Sequence, residues 1–423
     1  MTFLDAVRRG LAPDGGLYMP DTIPVLSTVF WENLHRKNFH EISLQMVKPY
    51  LEDQFNDPAI EKIISDSLNF PLELKPVEDG VDILELFHGP TLAFKDFGAR
   101  FMARLFSEKA QQEQKEVTIL VATSGDTGSA VAHGFYKVPG VRVCLLYPKG
   151  KVSLLQEQQM ATLGENIQVL EVEGTFDDCQ ALVKQAFLDH QLNEKMELSS
   201  ANSINIARLL PQSLYYAYAL GELQKRGVHQ PVFSVPSGNF GNLTGGLLAM
   251  KMGMPVQGFL AATNVNDVVP QYLSGSGFKP KRSVQTISNA MDVGNPSNFA
   301  RIQFLFEESD SEIRKHLAGY SFNDSETRTG IRELYEETGY LACPHTAIGY
   351  LAAKNQIVSD RKASHCVVLS TAHPVKFRDV IEPLIAEEIE VPERLLKWLN
   401  REKKSVAIGS QYEEFKSYLT DTN

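Results

Sequence analysis

The most constraining feature of this chain is a cadence. Short runs rich in β-branched residues begin at Val117, Val141 and Ile167, and more weakly near Met196, about 24–29 residues apart with helix-like segments between them. Strands joined each time by a helical crossover run parallel, and such crossovers are right-handed. Residues 153–163 read as one crossover helix ended by Gly164, and Asp177-Asp178 as an N-cap before Ala181, Leu182, Ala186 and Phe187. The expected fold class is α/β with open, mostly parallel sheets. A second α/β region follows, with strands at 232–235 and 366–369 and a helix over 243–252 ended by Gly253. Helical patterns over 30–51 and 60–68 set apart an N-terminal cap of about 75 residues, and a charged tail from Glu387 predicts a helix over 392–403.

Composition narrows the classes of function. The 423 residues are 43% hydrophobic and 22% charged, as in ordinary globular domains, and their number fits two or three of them. The longest apolar runs, such as 119–122 and 366–369, are far short of a bilayer span. The first ten residues lack the apolar core of a secretion signal, so a cytoplasmic protein is expected. Lys and Arg number 41 against 52 Asp and Glu, a net charge of −11, which disfavours nucleic acid and anionic membrane as partners. Cys144, Cys179, Cys343 and Cys366 are isolated, without metal-ligand spacing, so reduced thiols and no metal are expected.

Three expected strand ends run into loops rich in Gly, Ser, Thr or Asn, and in parallel sheets ligands bind at the carboxyl ends of strands. In the first loop, Thr123, Ser124, Gly125, Asp126 and Thr127 precede a helix whose N–H groups suit a carboxylate. An ordinary turn with Asp126 as N-cap reads equally well there. In the second, Ser237, Gly238, Asn239, Phe240, Gly241 and Asn242 carry no cation, and backbone N–H groups at a helix start suit a phosphate. Neither the dinucleotide glycine spacing nor a Walker lysine is present, which disfavours a nucleotide kinase. The third loop, Ser370-Thr371-Ala372-His373, offers a hydroxyl that caps a helix or meets a ring nitrogen, and His373 alone reads as structural.

Lys95 stands between Phe94 and Phe97. A lysine desolvated by aromatic neighbours loses proton affinity, which imine chemistry requires, whereas a surface lysine among aromatics merely snorkels. Beside a phosphate loop without nucleotide signatures, it points to a phosphorylated aldehyde held as a Schiff base.

The blocks HGPTLAFKDFG, ATSGDTGSA, VPSGNFGN and STAHPVKF, with the early GLAPDGGLYMP, run in order from Gly10 to Phe377. Together they closely resemble the threonine synthase family, fold-type II pyridoxal-phosphate enzymes that convert O-phospho-L-homoserine and water to L-threonine and phosphate. The resemblance implies two α/β domains plus the cap: 1–75 as cap, 76–114 with 201–423 as the large cofactor-binding domain, and 115–200 as a small domain that closes over the site. It makes Lys95 the Schiff-base lysine and residues 237–242 the cofactor-phosphate loop. It puts the Thr371 hydroxyl at the pyridine nitrogen and Asp126 near the ring oxygen. The loop of Thr123, Ser124 and Thr127 would take the substrate carboxylate. The segment of Asn202, Ser203, Asn205 and Arg208 would take the substrate phosphate, although Arg208 also reads as a helix-surface arginine. Many relatives carry tryptophan where this chain has Ile206. A monomer or homodimer is expected. Two rivals remain at this point: another lyase of the same fold type, such as a serine/threonine dehydratase, and a catalytically silent phosphate-ligand binder.

Overall fold

The β-branched runs become strands, most of them covered on both faces. In chain order they are β1 (Glu73–Glu78), β2 (Val81–Glu85), β3 (Val117–Ala122), β4 (Val141–Pro148), β5 (Ile167–Val172) and β6 (Glu197–Ser200). There follow β7 (Val232–Pro236), β8 (Gly258–Thr263), β9 (Leu317–Ser321), β10 (Cys366–Ser370) and β11 (Ser405–Ile408). The computed structural model describes residues 1–110, 116–359 and 365–421. Among these the strands make two sheets. One, ordered β11-β5-β4-β3-β6, is parallel throughout; the other, ordered β1-β2-β10-β7-β8-β9, is parallel except at the β1–β2 edge. Every residue of β3, β7 and β10 is buried, as parallel strands sandwiched between helices must be.

The crossover helices follow the predicted cadence: Asp126–Phe135 after β3, Leu154–Ala161 after β4 and Phe176–Leu188 after β5. One start signal differs. Thr175, not the Asp177-Asp178 pair, caps Phe176–Leu188; its hydroxyl accepts from Asp178 N at 3.2 Å while the Asp178 carboxylate accepts from Thr175 N at 2.7 Å. The pair closes a capping box, so Asp178 is its third helical residue.

The tail departs further from expectation. The helix Glu393–Leu399 lies in the predicted span, but β11 then pairs parallel with β5, and the helix Tyr412–Asp421 follows it. Phe415 and Leu419 join Leu120, Leu146, Leu170 and Leu182 in one apolar cluster. Residues 405–421 therefore complete the smaller sheet, although 201–423 was expected to lie wholly with the larger one. The N-terminal helices also lack a core of their own. Ile42, Met46, Ile60 and Ile63 belong to the same contiguous cluster as Phe97, Val121 and Phe233, and Trp31 Nε1 donates to Met252 O at 3.1 Å. The expected junction at residues 114 and 115 touches positions outside the described residues. Cys144, Cys179, Cys343 and Cys366 are free and buried, and among the described residues no helix is long and apolar enough to cross a membrane.

Phe415 is fully buried, so Phe415→Ala removes a ring from the seam between the final helix and the smaller sheet. A loss of about 3–5 kcal/mol is expected, read as a lower denaturant midpoint in equilibrium unfolding.

Candidate active site

The loops that leave β3, β7 and β10 come together, the first joined to the third by Lys376 Nζ donating to Asp126 Oδ1 at 2.7 Å. β7 and β10 are neighbours, so the loops that leave them lie side by side. The lysine segment is stitched to the second of these loops: Phe94 N donates to Thr371 O at 2.9 Å and His373 N donates to Leu92 O at 3.1 Å. This pairing sets Lys95, the first residue of the helix Lys95–Ala110, beside Thr371. His373 has the structural role expected of it, its Nδ1 accepting from Val375 N at 3.1 Å at the head of a short 3₁₀ turn.

Lys95 is half-buried, with its ammonium 5.2 Å from the centre of the Phe94 ring. Phe97, the other aromatic expected to enclose it, instead stacks edge-on against Tyr215 and Phe70 in the core. Lys95 has its pKa lowered to about 8, chiefly by desolvation and then by the Arg208 guanidinium; Asp126 pulls it up and Lys376 pushes it down. The amine therefore has a substantial neutral fraction near physiological pH.

Asp126 enters from the other sheet. It is not an N-cap: Gly125 holds that position at φ 136° and no side chain caps the helix. The carboxylate instead accepts from Lys376 Nζ at 2.7 Å and Gln156 Nε2 at 3.0 Å. Burial alone would raise its pKa, but Lys376, Gln156 and the charge of Lys95 together hold the carboxyl below its usual range. Lys376, which lies in the STAHPVKF block, and Gln156 were not singled out in the sequence, because nothing local shows that either reaches Asp126. Thr123 turns inward, its Oγ1 accepting from Gly125 N at 3.0 Å and Gly128 N at 2.8 Å. It shapes the loop and does not face the cleft. Ser124 is exposed and Thr127 half-buried, and the N–H groups of Ser124, Asp126 and Thr127 meet no acceptor among the described residues.

The loop 237–242 has the makings of an anion cradle. Among the described residues no acceptor meets the N–H groups of residues 238–243, where the helix Gly241–Lys251 begins. Asn242 Oδ1 accepts from Tyr215 and Tyr216 at 2.5 and 2.9 Å, which turns its Nδ2 to a buried position without a partner. Gly238 is required by space, since a Cβ there would sit 2.7 Å from Met291 Cα. Ser237 donates back to Val235 O at 2.9 Å. Asn239 bridges Ser203 Oγ and Ser297 N, both at 2.6 Å. Thr371 Oγ1 has no hydrogen bond among the described residues. Free N–H groups, a spare amide and a spare hydroxyl fit a phosphorylated heteroaromatic ring held by an amine.

The 202–208 segment is partly committed elsewhere. Asn205 is fully buried; its Nδ2 donates to Val7 O and Ser200 O at 2.8 and 2.9 Å, and its Oδ1 caps Ala207 N. That leaves it a scaffold residue and not the substrate contact expected. Asn202 Nδ2 donates to Ala122 O at 2.9 Å, tying this segment to β3. Arg301, which no sequence pattern marked, holds Ser203 O and Ile204 O from below. Arg208 is 4% exposed, so it is no surface arginine. It donates to Ala201 O, its Nε is buried without a partner, and burial lowers its pKa to about 10.

A family profile described as pyridoxal-phosphate dependent enzyme matches residues 83–371, which span both sheets and the cleft and define the class of protein. Profiles for the threonine synthase N terminus and C-terminal region match residues 1–68 and 346–419. A threonine synthase of Serratia marcescens is 42% identical over 419 residues, covering 99% of this chain and 96% of that protein. The crystal structure of threonine synthase from Escherichia coli superposes with a TM-score of 0.93 at 42% identity, covering 100% of this chain and 97% of that one. A PLP-bound threonine synthase from Brucella melitensis gives 0.92 at 32% identity, covering 100% and 96%. The chain belongs to the threonine synthase family.

Gly125 combines a positive φ with no room, because a Cβ would lie 2.4 Å from Gln156 Cδ. Gly125→Ala is expected to cost about 1–3 kcal/mol, measured as a lower thermal midpoint.

Proposed function

We infer that the protein converts O-phospho-L-homoserine and water to L-threonine and phosphate, with pyridoxal phosphate as cofactor. Membership of the threonine synthase family over the whole chain supports the reaction. The observation that carries the reading is Lys95, a desolvated amine with a pKa near 8 between an anion cradle and a spare hydroxyl. When bound, pyridoxal phosphate supplies an electron sink for carbanions next to the substrate nitrogen.

The chain's residues divide the remaining work. Lys95 would hold the cofactor through its aldehyde carbon, and its Nζ, when free, would take the proton from the substrate Cα. Cβ is bonded to Cα, so the same Nζ would serve the second proton abstraction that accompanies loss of the γ-phosphate. The two protons removed would go back to Cγ, once the phosphate has left, and to Cα, once water has added at Cβ, with the spare proton of that water leaving on the phosphate. A pKa near 8 lets one amine both accept and release protons at neutral pH. Residues 238–242 would hold the cofactor phosphate through backbone N–H groups, and Ser237 braces the turn. Thr371 would offer the ring nitrogen a neutral hydroxyl, which cannot protonate it as a carboxylic acid can. Asp126 would face the ring oxygen. The N–H groups of Ser124 and Thr127 hold the substrate carboxylate, within a loop that Thr123 shapes. Arg208 takes the substrate phosphate from beneath. Asn202, Ser203 and Asn205 set the position of Arg208. The free thiols support a reducing, cytoplasmic site of action.

Lys95→Ala is expected to lower phosphate release from O-phospho-L-homoserine by about 10³-fold or more, followed with a coupled phosphate assay. Equal release by both proteins would remove Lys95 from the chemistry. Excluding water at carbanion formation requires the 115–200 region to close over the cleft, so substrate should shrink the radius of gyration in solution scattering. Unchanged scattering would contradict closure.

A further inference from the structure

The mechanism above leaves Lys376 without a role. Its side chain has no solvent exposure, and its one acceptor among the described residues is Asp126 Oδ1 at 2.7 Å. The pair joins the two sheets: Asp126 begins the helix after β3, whereas Lys376 sits in the 3₁₀ turn Pro374–Phe377 after β10, five residues past Thr371. Gly125 leaves the space that lets Gln156 reach the same carboxylate oxygen. A buried ion pair is seldom the cheapest way to stabilise a fold, since apolar replacements often serve as well. One placed across the mouth of a catalytic cleft invites a functional explanation.

We propose that Lys376 is a positioning residue for the cofactor site: it clamps Asp126 as an ionised carboxylate across the cleft and so balances the charge felt by Lys95. This rests on the reading of Lys95 as the cofactor lysine. The groups that face Lys95 are Arg208, Asp126 and Lys376, and the buried His345 senses both Asp126 and Lys95. Asp96, next in sequence, is engaged by Thr91 N and Thr91 Oγ1 at 2.8 Å and senses Lys376 as well. Asp126 draws a proton onto the Lys95 nitrogen and Lys376 opposes it, so the pair leaves that nitrogen little altered while both partners are present. Loss of Asp126 alone leaves two cations, Lys376 and Arg208, unopposed. The proton affinity of the Lys95 nitrogen then falls. Loss of Lys376 alone leaves the carboxylate unopposed on that side, and the affinity rises.

The test is spectroscopic and uses the cofactor-loaded protein. The pH midpoint of the lysine–cofactor absorbance change is titrated for wild type, Asp126→Asn, Lys376→Met, Lys376→Arg and the Asp126→Asn/Lys376→Met double variant. A shift of about one unit downward is expected for Asp126→Asn and upward for Lys376→Met. Lys376→Arg should stay near wild type, and the double variant should return toward it. Midpoints within a few tenths of wild type in all variants, whatever their thermal stability, would overturn the proposal. So would shifts of the same sign in Asp126→Asn and Lys376→Met, or a double variant that stays as far from wild type as Asp126→Asn does. If Lys376→Met fails to fold, Asp126→Asn and Lys376→Arg decide by the same criteria. A wild type that shows no such absorbance at all would instead defeat the assignment of Lys95 as cofactor lysine, a distinguishable outcome.

Discussion

A primary amine kept partly out of water at the seam between two sheets organises this molecule. Lys95 can sit there because its helix begins at the residue itself, which leaves the amine over the Phe94 ring and not in the interior. The positive end of that helix, the Arg208 guanidinium and the shortage of water all work against its proton. Each of these depends on chain segments far apart in sequence. Phe94 is pinned to the loop after β10, Arg208 lies against Gly98, and a Cβ at Gly98 would come within 2.7 Å of Arg208 Nε. The large parallel sheet supplies the floor, and the smaller one brings Asp126 and a row of free N–H groups to the opposite wall.

Two kinds of polar burial occur around that amine, and they answer different needs. Asn205 is satisfied by backbone groups, and Arg301 gives its terminal nitrogens to the carbonyls of Tyr18, Ser203 and Ile204 although its Nε is buried without a partner among the described residues; both fix the loop that carries Ser203 and Arg208. Their cost is offset by hydrogen bonding within the fold. Asn242 Nδ2, Arg208 Nε and His345 Nε2 are buried without partners among the described residues, which a folded protein tolerates where a ligand is to be met. Of these, the first two line the proposed phosphate sites.

What the sequence made legible was local. Strand cadence, glycine loops at strand ends and a lysine between aromatics each depend on neighbours within a few residues, and the five motif blocks carried the family resemblance. What it hid was long-range. β11 has four residues with mixed exposure in a charged tail, so nothing nearby reveals that it completes a sheet begun some 280 residues earlier. Lys376 and Gln156 show their purpose only once Asp126 stands between them. Thr123 and Asn205 illustrate the opposite error: their side chains have the right chemistry for a substrate, yet backbone groups claim them first. Phe97 was misjudged for a similar reason, since helical rotation carries it away from Lys95 and into the core.

The bond from Lys95 Nζ to the cofactor is covalent, so mass spectrometry reads it directly. Purified, active protein is reduced with borohydride, digested and mapped. The peptide that contains Lys95 is expected to carry the reduced cofactor on its side-chain nitrogen, with no other lysine comparably labelled. Recovery of that peptide unmodified from fully active protein, or the label on another lysine such as Lys376, would contradict it.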